Sequence, residues 1–262
     1  MTIFKHEMKQ GFKALAIWTF VIGGMLSIAL LIFPDMTKGM GDSKDLFSNM
    51  GDFTAAFGMD KINFGTVMGF YGIECGNILG IGGGFFAAFL GISILSKEEK
   101  NGTAEFLLTH PIKRFKVIFE KLLSVLVQIL ILNIVVIIFS VISFKIIGEK
   151  IELQEFSLMH LAYLILQIEI SFICFGISAF LRDGTISIGL GLATVLYFMN
   201  IIKNISEKAE ILKYITPFSY TEVGDILVNT KLDINLIFLG VGYSIVAVVI
   251  GFIKYIKKDI YV

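Results

Sequence analysis

Residues 97–121 read KEEKNGTAEFLLTHPIKRFKVIFEK and separate two of the most apolar segments of the chain. Eleven of these 25 residues are Lys, Arg, Glu or His, whereas Asp, Glu, Lys and Arg together make up 17% of the whole chain. The apolar segments on either side, residues 67–95 and 122–144, are each long enough to cross about 30 Å of hydrocarbon as a helix that rises about 1.5 Å per residue. The stretch therefore reads as a polar connection between two membrane spans, and it decides the fold class.

The composition of the 262-residue chain points the same way. Hydrophobic residues make up 56% of it and the mean hydropathy is +0.83, which excludes an ordinary soluble globule. We predict an all-α integral membrane protein with six transmembrane helices, in one domain over residues 1–262, because no linker or repeat divides the chain. The predicted spans are residues 14–33, 67–95, 122–144, 158–181, 185–202 and 234–253.

The distribution of Lys and Arg predicts the orientation. Thirteen of the 22 Lys and Arg residues lie before the first span, in or next to residues 97–121, at Arg182 or after the last span. Positive residues near span ends resist translocation. We therefore expect a plasma-membrane protein with both termini and residues 97–121 in the cytoplasm. The net charge of zero gives no indication of nucleic-acid binding.

The N-terminal residues have an amphipathic pattern. Phe4, Met8 and Phe12 recur at helical spacing, and Lys5 and Lys9 belong to a basic row one residue further round. This pattern predicts an interfacial helix with its lysines among lipid phosphates. The alternative is that these residues are only the start of the first span.

A glycine stripe runs through the second span. Gly72, Gly76, Gly80 and Gly84 recur every four residues, so one face of the helix has no side chains to hold a neighbouring helix away. Small residues at this spacing favour close helix packing within a membrane. A locally unwound helix is the second interpretation, because glycine weakens helices.

Four polar residues within the predicted spans are candidates for a pathway or for interhelical packing: Glu74, Asn77, Gln167 and Glu169. Glu169 lies near the middle of its span, where an unpaired carboxylate costs several kcal/mol. It is therefore protonated, paired across a helix interface, or facing water. Glu74 lies nearer the outer end of its span, where exposure at the interface explains it.

Residues 203–233 form a predicted outer segment. Pro217 breaks a helix there, and we expect Phe218 and Tyr220 to anchor the segment at the membrane interface.

We find no catalytic constellation in the sequence. It has no His-Glu-x-x-His, no Gly-x-Ser-x-Gly and no nucleotide-binding motif, and its three histidines have no metal-ligand spacing. We predict that the chain is not an enzyme and has no metal site. If it transports with ATP, another polypeptide binds the nucleotide.

The stretch at residues 97–121 contains signals that end one helix and begin another. Gly102 can end a helix that projects from the second span, and Thr103 can cap a short helix over residues 104–108 with Glu105 near its positive end. Pro111 suits the first turn of the next helix. A helix of this kind presents Phe106 and its two following leucines below the membrane plane. They form a docking surface for a protein or, equally, pack under the bundle.

The residues of the loop carry a resemblance. SKEEKNGTAEFLLTHPIKRFKVIFEKLL, residues 96–123, resembles the first cytoplasmic loop of permease subunits in the type-2 family of ATP-binding-cassette (ABC) transporters. The segment contains, in this order, Glu, Gly-Thr, Glu-x-Leu-Leu, Pro, Arg and Lys, a succession that is typical of the family. TPFSY, residues 216–220, is similar to the family's motif before the last span. The six spans and the basic amphipathic N-terminus agree across essentially the whole chain.

The resemblance implies a half-transporter that forms a homodimer or a paralogous heterodimer on two separately encoded ATPase subunits, which bind ATP and Mg²⁺. It implies no cofactor bound by this chain. A short coupling helix would seat in each ATPase, with the N-terminal helix beside it. His110 departs from the family pattern, in which a small residue commonly precedes the proline. The resemblance assigns coupling to Gly102, Thr103, Glu105, Phe106, Leu107, Leu108 and Pro111.

The predicted function is therefore that of the permease subunit of an ATP-driven exporter. The alternatives are a membrane assembly factor that transports nothing and an ion-coupled secondary carrier that uses Glu169.

Overall fold

The computed structural model describes residues 2–39, 54, 56, 62–103, 112–182 and 185–258. The regular elements of this part of the chain are all helical, and six of them are long and apolar enough to cross a membrane. The prediction of an all-α membrane protein with six spans is confirmed. The α-helices are α1 (Thr2–Gly39), α2 (Val67–Ser93), α3 (Lys97–Lys100), α4 (Arg114–Ile147), α5 (Leu153–Ser178), α6 (Ile186–Ile205), α7 (Val223–Asn229) and α8 (Ile234–Lys257).

Helices α2 and α5 form the core of the bundle. In each, 61% of the most apolar window is buried, against 11% in α8. Helix α1 lies along α4, and α5 packs against both α2 and α8. The outward faces of α1, α4 and α8 carry exposed apolar side chains, which is the surface that lipid requires.

The bundle has two polar ends. At one end, called the loop end, residues 97–103, the start of α1, the start of α4 and the end of α8 meet. At the other, called the far end, the start of α2 contacts α7, and α7 belongs to the connection between α6 and α8.

Helix α1 is one continuous helix of 38 residues, about 57 Å long at 1.5 Å per residue. The predicted interfacial segment is therefore its first turns rather than a separate element. Its buried side chains are Ile3 and Glu7, one residue before the predicted apolar row, while Phe12 is exposed. The ion pairs of Glu7 with Lys97 and Lys121 fix this rotation of α1 about its axis. An interfacial position of the segment stays a prediction.

Helix α2 changes its winding in the middle. Residues Gly76–Ile81 form a π-helical segment between the α-helical halves Val67–Cys75 and Gly82–Ser93. A Cβ atom at Gly76 would lie 3.1 Å from the Tyr163 hydroxyl, and one at Gly80 would lie 3.1 Å from the Tyr163 ring. The glycine stripe thus faces α5 and leaves room there for one large aromatic side chain.

The other two stripe glycines face the far-end connection as well as α5. Gly72 lies against Val223 of α7, and Gly84 lies against Ile170 and Phe218.

The connection between α6 and α8 enters the bundle. Two 3₁₀ helices, Glu207–Tyr214 and Pro217–Thr221, precede α7. We call residues 216–221 the re-entrant segment. The Thr216 hydroxyl donates to the Leu196 carbonyl at 2.7 Å, and the Tyr163 hydroxyl donates to the Thr221 carbonyl at 3.1 Å. Irregular backbone at membrane depth is tolerated where protein satisfies its polar groups in this way.

The prediction that Phe218 and Tyr220 anchor at the membrane interface is wrong. They are 5% and 4% exposed and lie inside the bundle. Phe218 fills the space beside Gly84, which explains why an aromatic ring is favoured inside rather than at the interface.

Candidate functional site

A buried lysine organises the loop end. Lys121 of α4 is 0% exposed, and its ammonium group donates to Glu7 at 2.7 Å, to Glu98 at 2.5 Å and to the Ile94 carbonyl at 3.0 Å. A buried ammonium group without partners would be costly, and here its three donors reach acceptors from three parts of the chain. Lys121 therefore joins α1, α4 and the connection after α2.

Glu7 of α1 completes this arrangement. Its second carboxylate oxygen pairs with Lys97 of α3, and Lys97 also donates to the side-chain oxygen of Gln10 at 3.0 Å. Near its first turn, α1 gains one more contact, in which the Phe4 amide donates to Glu120 at 3.0 Å. The first turns of α1 are thus held to both helices that flank the loop.

The end of α8 is tied to the same loop from both sides. Lys258 pairs with Glu99 at 2.7 Å and donates to the Leu181 carbonyl at 2.8 Å. Arg114 donates to the carbonyls of Ile256 and Lys258 at 3.0 and 2.8 Å. These carbonyls end a helix, where a cation is favourable. The cluster of Glu7, Lys97, Glu98, Glu99, Arg114, Lys121 and Lys258 is called the loop-end network.

Two of the predicted coupling residues fall in the described part of the chain. Gly102 has φ +68°, a left-handed conformation that favours glycine, and its amide donates to the Glu99 carbonyl at 3.2 Å. The Thr103 amide donates to the Glu98 carbonyl at 2.9 Å. Together they end α3, as the sequence indicates for Gly102. The other five, Glu105, Phe106, Leu107, Leu108 and Pro111, lie outside the described residues.

A cavity of 460 Å³ opens beside the network at the loop end. It is lined by the first residues of α1, by α3 and by the two residues that border the loop on either side, Thr103 and Ile112. The base of the loop thus has a concave surface next to a set of fixed charges.

Sequence reasoning missed the loop-end network. Glu7 pairs with residues 90 and 114 positions away, so no local spacing reveals the contacts. One signal was available, because Glu7 follows Ile3 by four residues and so shares a helix face with it. Lys121 likewise shares a face with the buried residues Val117 and Val125.

The pathway candidates within the spans fall into different environments. Gln167 is buried and its side-chain oxygen accepts from Asn133 of α4 at 2.7 Å. Asn77 lies in the π-helical segment, half-buried, and lines a cavity of 60 Å³ with Asn200 and Asn204 of α6. Glu74 is half-buried as well.

A polar cluster that sequence reasoning did not identify lies among the same helices. The Tyr71 hydroxyl donates to the Ser140 hydroxyl at 2.9 Å and lies 2.7 Å from the Nε2 atom of His160. All three side chains are buried. The cluster joins α2, α4 and α5 through neutral hydrogen bonds.

Glu169 has a different environment from these paired groups. It is 1% exposed, near the middle of α5, and faces Gly240 of α8. Tyr220 of the re-entrant segment lies beside its carboxyl group. Neither carboxyl oxygen has a hydrogen bond of ordinary geometry to the residues that the structure describes.

Within the described ranges, no group of three or more His, Cys, Asp or Glu side chains is arranged to hold a metal ion. Both cysteines, Cys75 and Cys174, are buried and unbridged.

Comparison with protein families gives one match to report. A family model described as ABC-2 family transporter protein matches residues 1–260, which is nearly the whole chain. A comparison with curated proteins gave no match.

Proposed function

The chain belongs to the ABC-2 family of transporter proteins, and from this premise we propose that it moves its substrate outward as part of an ATP-driven exporter. It is a multi-pass membrane protein and an ABC transporter permease, the membrane component of such a system. The outward direction, the subunit arrangement and the coupling route are the parts that we propose.

The observation that carries the proposal is the anchoring of the loop at residues 104–111. Glu99 precedes the loop and Arg114 follows it, and both are bound to the end of α8. Glu98, on the same side as Glu99, is bound to Lys121 and through it to Glu7 of α1. A displacement of the loop therefore pulls on α1, α4 and α8 together.

The energetic character of the network supports this role. Removing one partner of a buried charge pair costs about 3–5 kcal/mol, because the remaining charge stays buried. A loop attached by such pairs moves with its helices instead of bending independently. This is the mechanical property that a coupling element needs.

The partners in this proposal are two ATPase subunits, a second permease copy that is identical or paralogous, and membrane lipids. ATP and Mg²⁺ bind in the ATPase subunits, and this chain binds no cofactor. The short helix at residues 104–108 would seat in the ATPase with Glu105, Phe106, Leu107 and Leu108, and Gly102 and Pro111 would set its direction. The cavity beside Thr103 and Ile112 would give the ATPase a further surface at the base of the loop.

The loop end is then the cytoplasmic end, in the plasma membrane, because the ATPase subunits take ATP from the cytoplasm. The Lys and Arg residues around residues 97–121 and at both chain ends support this orientation.

Co-expression with the ATPase encoded nearest to this chain tests the proposal. We expect a stable complex whose ATP turnover falls when Glu105→Arg or Phe106→Asp is introduced. Glu149→Arg at the far end is the matched control, since Glu149 is an exposed glutamate in the connection between α4 and α5. Loop variants that leave both assembly and turnover at the level of the control would refute the coupling role.

A second candidate function is an ion-coupled carrier, which the buried carboxyl group of Glu169, with no ion pair among the described residues, favours. It predicts proton- or cation-driven transport without any ATPase, abolished by Glu169→Gln. Reconstitution of the chain alone in vesicles with an imposed pH gradient separates it from the exporter. An assembly factor would transport nothing in either reconstitution.

A further inference from the structure

We propose that Glu169, with Tyr220 and Gly240 around it, forms a subsite that binds the ammonium group of a cationic amphiphile. The proposal rests on the exporter function and names its substrate class. We call the cavity beside Glu169 the Glu169 subsite; the residues that line it are Glu169, Ile173, Lys213, Tyr214, Ile215, Thr216, Pro217, Leu236, Gly240 and Tyr243.

The carboxyl group of Glu169 has unused hydrogen-bonding capacity. Both oxygens of its carboxyl group are buried without a hydrogen bond of ordinary geometry to the described residues, and the Tyr220 hydroxyl lies beside them. Buried polar atoms are normally paired, and an exception calls for a ligand, a water or a proton. In the middle of a span such a group is a functional candidate by default.

The carboxyl group of Glu169 has free space beside it. A Cβ atom at position 240 would overlap the carboxyl group of Glu169 in its present position, so Gly240 leaves the space that this group occupies. The adjoining cavity has a volume of 20 Å³. A cavity above about 10–15 Å³ holds one group the size of water, so an ammonium group fits.

The walls of the Glu169 subsite include aromatic and apolar side chains. Tyr214, Ile215 and Tyr243 line it and are about half exposed on the outer surface of the bundle. An alkyl chain can therefore extend along these side chains while its ammonium group reaches Glu169. Aromatic rings also attract cations, which adds to the attraction of the carboxylate.

Charge selects the ligand class. The carboxyl group disfavours an anion, and one carboxyl group among tyrosine and threonine hydroxyls is a poor site for Ca²⁺ or Mg²⁺, which take about six oxygen ligands with carboxylates among them. Lys213 also lines the cavity, but it pairs with Glu210 at 2.6 Å, and this hydrogen bond raises the pKa of Lys213 above its usual value. Lys213 is therefore engaged with Glu210 and forms no ion pair with Glu169, which leaves that position to an incoming cation.

The test uses the full chain in lipid nanodiscs, with radiolabelled dodecylammonium as the probe and empty nanodiscs subtracted to remove partitioning into lipid. Dodecanol, which has the same tail without the charge, is the comparison ligand. We expect wild-type protein to bind dodecylammonium about tenfold to a hundredfold more tightly than dodecanol. Equal affinity for the two would overturn the proposal without any mutation.

Two variants localise the effect. Glu169→Gln keeps the size of the side chain and removes its charge, so we expect the preference for dodecylammonium to disappear. Glu74→Gln is the matched control, because Glu74 is the other acidic residue of the predicted spans, and we expect it to keep the preference. Retention in Glu169→Gln, or an equal loss in both variants, contradicts the subsite.

The outcomes also separate this proposal from the exporter function. If the loop variants abolish ATP turnover while Glu169→Gln binds dodecylammonium like wild type, the subsite fails and the exporter stands. If no ATPase complex forms while binding still depends on Glu169, the exporter fails and the subsite stands.

Discussion

Lys121 and Glu169 are both ionisable, nearly inaccessible and part of helices long enough to cross a membrane, yet their surroundings are opposite. Lys121 is 0% exposed and has three acceptors, whereas Glu169 is 1% exposed and has only the Tyr220 hydroxyl beside it, with no hydrogen bond of ordinary geometry to the described residues. The fully paired charge holds helices together. The unpaired group leaves a place for something that is not part of the chain.

The two environments lie in different parts of the molecule: the paired charges are at the loop end, and Glu169 is in the middle of the bundle. At the loop end, charged side chains from four elements, α1, α3, α4 and the end of α8, pair with one another and link the loop to the spans. In the middle, a carboxyl group and a re-entrant segment meet beside a small cavity. A transporter needs both a rigid connection to its energy source and a site that is completed by its substrate.

The largest effect is expected at Lys121. Lys121→Met removes the buried ammonium group and leaves Glu7 and Glu98 without it, so we expect a loss of about 3–5 kcal/mol in the free energy of unfolding. Thermal or denaturant unfolding of the purified protein measures the loss. Lys145→Met is the control, since Lys145 lies exposed near the other end of the same helix and should change stability by less than about 0.5 kcal/mol. Equal stability of the two variants would contradict the proposal that Lys121 holds these helices together.

The neutral cluster at Tyr71 should give an intermediate effect. Tyr71→Phe removes the hydroxyl that reaches both Ser140 and His160, so we expect a loss of about 1–3 kcal/mol. The same unfolding experiment measures it, with Tyr243→Phe, at a half-exposed tyrosine, as the control. A loss as large as that of Lys121→Met would mean that the charges at the loop end add nothing beyond ordinary hydrogen bonds.

The smallest effect on stability is expected at Glu169. Since its carboxyl group has no ion pair among the described residues, and glutamine keeps an acceptor for the Tyr220 hydroxyl, Glu169→Gln should leave the free energy of unfolding within about 0.5 kcal/mol of wild type or raise it. Glu7→Gln is the matched comparison and should lose several times more, because Glu7 pairs with two lysines. Destabilisation by Glu169→Gln comparable to that of Glu7→Gln would place Glu169 among the structural charges.

The sequence predicts the helical membrane fold well, because apolar runs of this length have few alternatives. It also identifies Gly102 as the end of a helix, since a left-handed turn favours that residue. It does not predict the re-entrant segment, because Pro217 and Phe218 suit an interface and a protein interior equally. It does not predict the loop-end network either, since those pairs form only after distant helices pack.

The environment of Glu169 illustrates the same limit. The sequence leaves open a proton, a partner across a helix interface, or water. The structure places Gly240 opposite the carboxyl group and Tyr220 beside it, with no cationic partner among the residues that it describes. Only the packing of α8 against α5, which no periodicity encodes, brings these groups together.

The central claim is that the loop moves with the spans through the loop-end network, and an exchange of charges between Glu99 and Lys258 tests it most directly. ATP turnover is measured in the assembled complex for Glu99→Lys, for Lys258→Glu and for the two combined. Our account predicts that each single change lowers turnover and that the combined exchange restores most of it, because the pair is rebuilt with its charges reversed. Full turnover in both single variants, or no recovery in the exchange, would contradict it.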